Sequence, residues 1–110
     1  MRFEVLSGDT RIGWSELEFG DPPMGVAHGR FYPSDFYRSS RHAGLDGDLR
    51  ARPEGSEEFF KPSGGVFIED LSTEFEPEGI EVSILGLDAE TYSRFFPHHV
   101  KTYDDQFPSK

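Results

Sequence analysis

Short runs of alternating apolar and polar residues, each closed by a turn signal, recur along this chain without any strand–helix–strand rhythm. A period of two turns one face of each run toward a core, and closely spaced turns favour antiparallel neighbours. Phe3, Val5 and Ser7 alternate with Arg2, Glu4 and Leu6, and Ser7-Gly8-Asp9-Thr10 has the composition of a tight turn. Ile12, Trp14, Leu17 and Phe19 continue as a second strand, so residues 2–19 read as a hairpin. The alternation slips at Ser15-Glu16. Either a bulge re-registers the strand there, or the strand ends at Trp14 and residues 15–19 form a turn.

Gly20-Asp21-Pro22-Pro23-Met24-Gly25 cannot be a central strand, because its two prolines lack the N–H that a ladder requires. It reads as a connection in which Gly25 permits a sharp bend and Met24 fills an irregular gap. Exposed Met24 as a partner anchor, and the Gly25–Gly29 backbone against a ligand, are its two functional readings. From Val26 to Tyr32 the strand pattern resumes, with Val26, His28, Arg30 and Tyr32 on one face and Ala27, Gly29 and Phe31 on the other. Pro33-Ser34-Asp35 looks like a helix start, with Ser34 as cap, running through Phe36, Tyr37, Ser40 and His42 to Gly44.

Residues 44–58 are polar and Gly/Pro-bearing and read as a flexible loop, pinned by Phe59-Phe60. Gly65 to Leu71 is a strand with Val66 and Ile68 opposite Phe67 and Glu69; Pro77-Glu78-Gly79 marks a turn. Ile80 to Leu87 is the clearest strand, with Ile80, Val82 and Ile84 on one face. Asp88 caps a short helix, Ala89 to Phe96, ended before Pro97. The tail, 98–110, has only Val100, Tyr103 and Phe107 as anchors and reads as loosely packed. The expectation is one mainly β (α+β) domain over 1–110: an antiparallel sheet or small β-sandwich of about five or six strands with two short helices.

Length and composition narrow the function. A chain of 110 residues buries one modest core, and eleven Phe, four Tyr and one Trp compensate for a hydrophobic fraction of 35%. Eleven basic against 21 acidic residues give a net charge of −10, which argues against nucleic acid or an anionic membrane as partner. The absence of cysteine excludes disulfides and thiolate chemistry. Together with the acid at Glu4 and the lack of a signal-like apolar run, it points to the cytoplasm. No segment approaches the roughly 20 apolar residues of a membrane span.

The sequence carries no complete catalytic or metal motif. There is no phosphate-binding loop, GxSxG elbow, HExxH or GxGxxG. Asp46-Gly47-Asp48 with Glu57 imitates a calcium loop but fails at Arg50 and at Ala51, where glycine is needed. His98-His99 with Asp104 and Asp105, joined by His42 or His28, would be a metal cluster, yet adjacent histidines diverge on an extended chain; a polar surface segment is preferred. No catalytic residue, metal or cofactor is therefore assigned, and the reading is non-enzymatic.

Charge is distributed unevenly. Between Lys61 and Arg94 there is no basic residue, while eight acids fall in the same interval. Arg30, Arg38, Arg41, Arg50 and Arg52 cluster in the middle. The acid-rich stretch reads either as a solvated edge that discourages aggregation or as a docking surface. In the docking reading, Glu69, Asp70, Glu74, Glu76, Glu78 and Glu81 meet a basic protein while Phe75 packs. The alternative is a small-ligand or carbohydrate site in an aromatic-lined pocket of Trp14, Tyr32, Phe36 and Tyr37. An exposed edge strand or aromatic patch could also support a homodimer.

The run from Gly20 to Ala27, with Gly29-x-Phe31 after it and Trp14-Ser15-x-Leu17-Glu18 before, resembles small bacterial proteins of uncharacterised function. That likeness covers about residues 12–37 and implies no activity. In size, acidity and lack of cysteine the chain is similar in type to the immunity proteins that neutralise bacterial toxins. Those share no single fold or motif, so no residue role carries over. Occlusion of a basic toxin domain is the most concrete form of the binding expectation.

Overall fold

The computed structural model describes residues 1–43, 48–72 and 79–106. Phe3–Ser7 (β1) and Thr10–Ser15 (β2) form the expected hairpin, with Gly8 at φ 58° in the turn. The ladder slips between Val5 and Leu6, where Ile12 is the extra residue of β2 and is fully buried. The bulge thus lies earlier than Ser15-Glu16. At that later point the strand ends, and residues 16–18 turn a corner into Phe19–Asp21 (β3), which belongs to a different sheet.

The predicted strand from Val26 to Tyr32 is likewise divided. Val26–Arg30 (β4) pairs with β3, whereas Tyr32–Pro33 (β5) pairs with β2, so the chain changes sheets at Phe31. The predicted faces hold: Ala27, Gly29 and Phe31 are buried. Leu49–Pro53 (β6), Gly65–Asp70 (β7) and Ile80–Leu85 (β8) complete two four-stranded antiparallel sheets. The first sheet runs in the order β5-β2-β1-β6 and the second β3-β4-β8-β7. Strands that bend from one sheet into the other make the corners of such double-sheet folds. The fold is mainly β, as expected.

Side chains from both sheets form one core. Phe3, Val5, Ile12, Leu49 and Ala51 come from the first sheet, and Ala27, Val66, Ile68, Ile80, Val82 and Ile84 from the second. Ala89–Phe95 (α2) and Pro97–Gln106 (α3) add Tyr92 and His99, and Phe96 packs in from the junction between them. Phe96 stacks on Phe3 with centroids 5.2 Å apart and on His99 at 5.4 Å. Asp88 caps α2 as predicted, accepting the Thr91 N–H at 2.7 Å.

Three expectations need correction. Residues 44–58 are not simply a loop, because Leu49 and Ala51 point inward from β6 while Arg50 and Arg52 point out. The tail is helical as far as Gln106, and buried His99 anchors it beside half-buried Val100 and Tyr103. Pro97, read only as a stop for α2, also begins α3, where its missing N–H costs nothing. The helix predicted from Ser34 is confined to Ser39–His42 (α1). Ser34 instead ties β5 to β2: its N–H donates to Ile12 O and its hydroxyl to Arg11 O. Gly44, Asp46, Gly47 and Phe107 lie outside the described residues. Among those that are described, no helix is long and apolar enough to cross a membrane.

Candidate functional site

The acid-rich stretch occupies β7 and β8 at one side of the second sheet. Register places Glu69 on β7 directly opposite Glu81 on β8, and Arg30 on β4 opposite Glu81 on its other side. Both glutamates are exposed. Like charges directly opposed across a ladder repel, and the facing Arg30 on the other side of Glu81 offsets part of that repulsion. His28 Nδ1–H donates to Glu81 Oε1 at 2.9 Å, which leaves Glu69 as the less compensated of the two.

Two apolar side chains flank these carboxylates. Phe19 is 58% exposed and Leu71 is 68% exposed. With Arg30, Glu69, Glu81 and the backbone at Gly79 they line a shallow depression of about 450 Å³. The Phe19 ring rests against His28, with centroids 5.5 Å apart. Phe19 and Leu71 escape notice as surface groups in the sequence because each fits the alternation of a strand. The parity of the outward residues Phe67 and Glu69 would have put Leu71 on the exposed side.

Asp70, assigned to the same surface, has a different role. It is half-buried, accepts the Tyr37 hydroxyl proton at 2.7 Å and is capped by the Ser72 N–H and hydroxyl. Burial raises its pKa, but the Ser72 and Tyr37 hydrogen bonds outweigh that and hold the carboxyl below its usual value. The Tyr37 hydroxyl is pushed up by burial and by Asp70. Asp70 thus fastens the segment before α1 to the end of β7 and is committed inside the fold. Glu74, Phe75, Glu76 and Glu78 lie outside the described residues.

The four aromatics of the alternative reading do not gather round one pocket. Trp14 and Tyr32 stack at 4.2 Å on the outer face of the first sheet, covered by Arg2 at 4.1 Å and Arg30 at 4.8 Å respectively. Tyr37 turns inward against Phe31, edge to face at 5.3 Å, and Phe36 is 67% exposed. Tyr37 packs inside whereas Trp14 and Tyr32 stack outside, so the group divides across the sheet. Two of the clustered arginines share the outer face: Arg50 and Arg52 lie over Phe59, and Arg52 Nε–H donates to Glu4 at 2.8 Å.

The paired histidines also divide. His99 is buried, not part of a polar surface segment, and its Nε2–H donates to Leu17 O at 2.8 Å. Burial lowers its pKa, with His98 and His28 adding to the effect against the Leu17 bond and Glu18. His28, His98 and His99 line a groove of about 410 Å³ between β3 and α3. Among the described residues no group of three or more His, Asp or Glu side chains has metal-binding geometry.

The double-proline stretch is architectural. Pro22–Met24 forms one turn of 3₁₀ helix, closed by the Gly25 N–H donating to Pro22 O. Gly25, at φ 67°, accepts the Leu87 N–H on its carbonyl at 2.9 Å. A Cβ on Gly25 would stand 2.3 Å from Leu87 O, and one on Gly29 would be 2.8 Å from Glu18 N. The backbone at both glycines is therefore approached by the chain itself rather than open to a ligand. Met24 fills no gap: it is 67% exposed.

No family model matches the chain, and no curated protein or solved structure matches it either.

Proposed function

We propose that this protein is a non-catalytic binding module that engages a basic protein partner through the outer face of its second sheet. Occlusion of a basic bacterial toxin domain, in the manner of an immunity protein, is the most concrete form. The observation carrying the reading is the opposed pair Glu69 and Glu81, flanked by exposed Phe19 and Leu71. A basic side chain placed between the two carboxylates relieves their repulsion and adds to what Arg30 and His28 supply at Glu81. Phe19 and Leu71 supply apolar anchors beside it. The net charge of −10 adds long-range attraction and speeds encounter. A cysteine-free chain suits a reducing cytoplasm.

The test uses Glu69→Lys. Lysine at this position faces Glu81, so the substitution replaces repulsion by attraction and leaves the ladder at least as stable. The expected outcome is that a basic protein captured from native lysate by the tagged chain at low salt is lost with Glu69→Lys and weakened with Leu71→Ala. Association of the purified pair should slow with rising salt. A captured partner whose association rate and salt dependence are unchanged by Glu69→Lys would sink the proposed surface.

A further inference from the structure

Lys61 and Arg94, the two cations that bound the acid-only interval of the sequence, stand at the rim of a single cavity. The cavity holds about 360 Å³ and lies between the segment after β6 and the outer side of α2. That size falls within the roughly 300–1,000 Å³ of small-molecule sites. Its lining includes Phe59, Phe60, Phe95 and Leu87, with Phe60 and Phe95 edge to face at 5.2 Å. Both cations are exposed, and among the described residues neither has a salt-bridge partner. The Arg94 guanidinium lies 5.1 Å over the Phe95 ring, which holds the charge against the aromatic wall.

In a chain of net charge −10, two cations held out of ion pairs beside an aromatic floor, on a rim they share with Glu58 and Asp88, suit a ligand that is apolar at one end and anionic at the other. We propose that this cavity binds a small monocarboxylate with an aromatic or short acyl body, its carboxylate between Lys61 and Arg94 and its body against Phe60 and Phe95. Two further acids set the charge of that ligand. Asp88, which caps α2 and keeps its charge, and Glu58 stand on the same rim, and both repel a second negative charge. A monoanion is therefore preferred to a phosphate dianion.

Titration by amide-resolved NMR tests this with phenylacetate, its uncharged analogue phenylacetamide and the dianion phenyl phosphate. Phenylacetate is expected to shift amides of residues 56–61 and 87–95 saturably, and phenyl phosphate to bind more weakly. Loss of the charge in phenylacetamide, or of both cations in Lys61→Ala/Arg94→Ala, should each weaken binding by about tenfold or more. Because both side chains are exposed, the double variant keeps its fold, which the remainder of its spectrum checks. Glu69→Lys should leave the titration unchanged, so the site is judged independently of the partner surface. Absence of saturable shifts with phenylacetate, equal affinity for the amide, or an unchanged affinity in the double variant would each overturn the proposal.

Discussion

Leu17 sits at φ 48°, a left-handed conformation that a branched side chain adopts at a cost of about 1–3 kcal/mol. Three contacts hold it there. Its side chain is buried, its N–H donates to Ser15 Oγ at 3.0 Å, and its carbonyl accepts from His99. The last contact makes the corner sensitive to pH. Burial keeps the His99 pKa below its ordinary value of 6.5, so the unfolded chain takes up that proton first as pH falls. Stability contributed by neutral His99 is full above 6.5 and is lost as pH drops from there toward the lowered folded value. Urea midpoints measured between about pH 7.5 and 5.5 should therefore decline with acidification. His99→Gln, less stable throughout, should show a shallower decline; an identical slope in both proteins would place the effect elsewhere.

At the scale of elements, the linkage of Gly25 to Leu87 joins the proline turn to the approach to α2. Gly8 provides an internal comparison, since both glycines have positive φ but a Cβ on Gly8 meets nothing within 4 Å. Gly8→Ala should cost about 1–2 kcal/mol from conformation alone. Gly25→Ala adds a clash with the Leu87 backbone, so its loss in chemical denaturation should be clearly larger; equal losses would contradict the packing described. The same elements show what could be read in advance. β1, β2, β7 and β8 were legible because Phe3 and Val5, or Val82 and Ile84, alternate with polar neighbours and turn signals in the sequence separate the runs. β6 was hidden because only Leu49 and Ala51 face the core, between arginines and within a Gly/Pro-bearing stretch. α3 was hidden because Pro97 carries both a stop and a start signal, and because its buried residue is a histidine. The sheet changes at Leu17 and Phe31 left no pattern, since alternation records which face a residue takes and not which sheet holds the strand. In the candidate site, Glu69 and Glu81 followed from charge alone. The inward turn of Asp70 depends on Tyr37, 33 residues away, and such a pairing has no local signature.

For the molecule as a whole, a net charge of −10 on 110 residues means that the folded state concentrates repulsion that the unfolded chain relaxes. Thermal midpoints should rise as sodium chloride increases from about 0.01 M to about 0.15 M, because the screening length falls from roughly 30 Å to 8 Å. A midpoint that is flat or falls with salt would show that the acids are locally compensated. The order of strands has a different kind of consequence. The first sheet draws β5, β2, β1 and β6 from the first 53 residues, whereas the second waits for β8 to pair with both β4 and β7. A ribosome therefore releases a complete four-stranded ladder while only β3 and β4 of the covering sheet exist, before β7 and β8 have emerged. During that interval Phe3, Val5, Ile12, Leu49 and Ala51 form an inner face with only part of its opposing layer, and the nascent chain is at its most adhesive until β7 and β8 arrive.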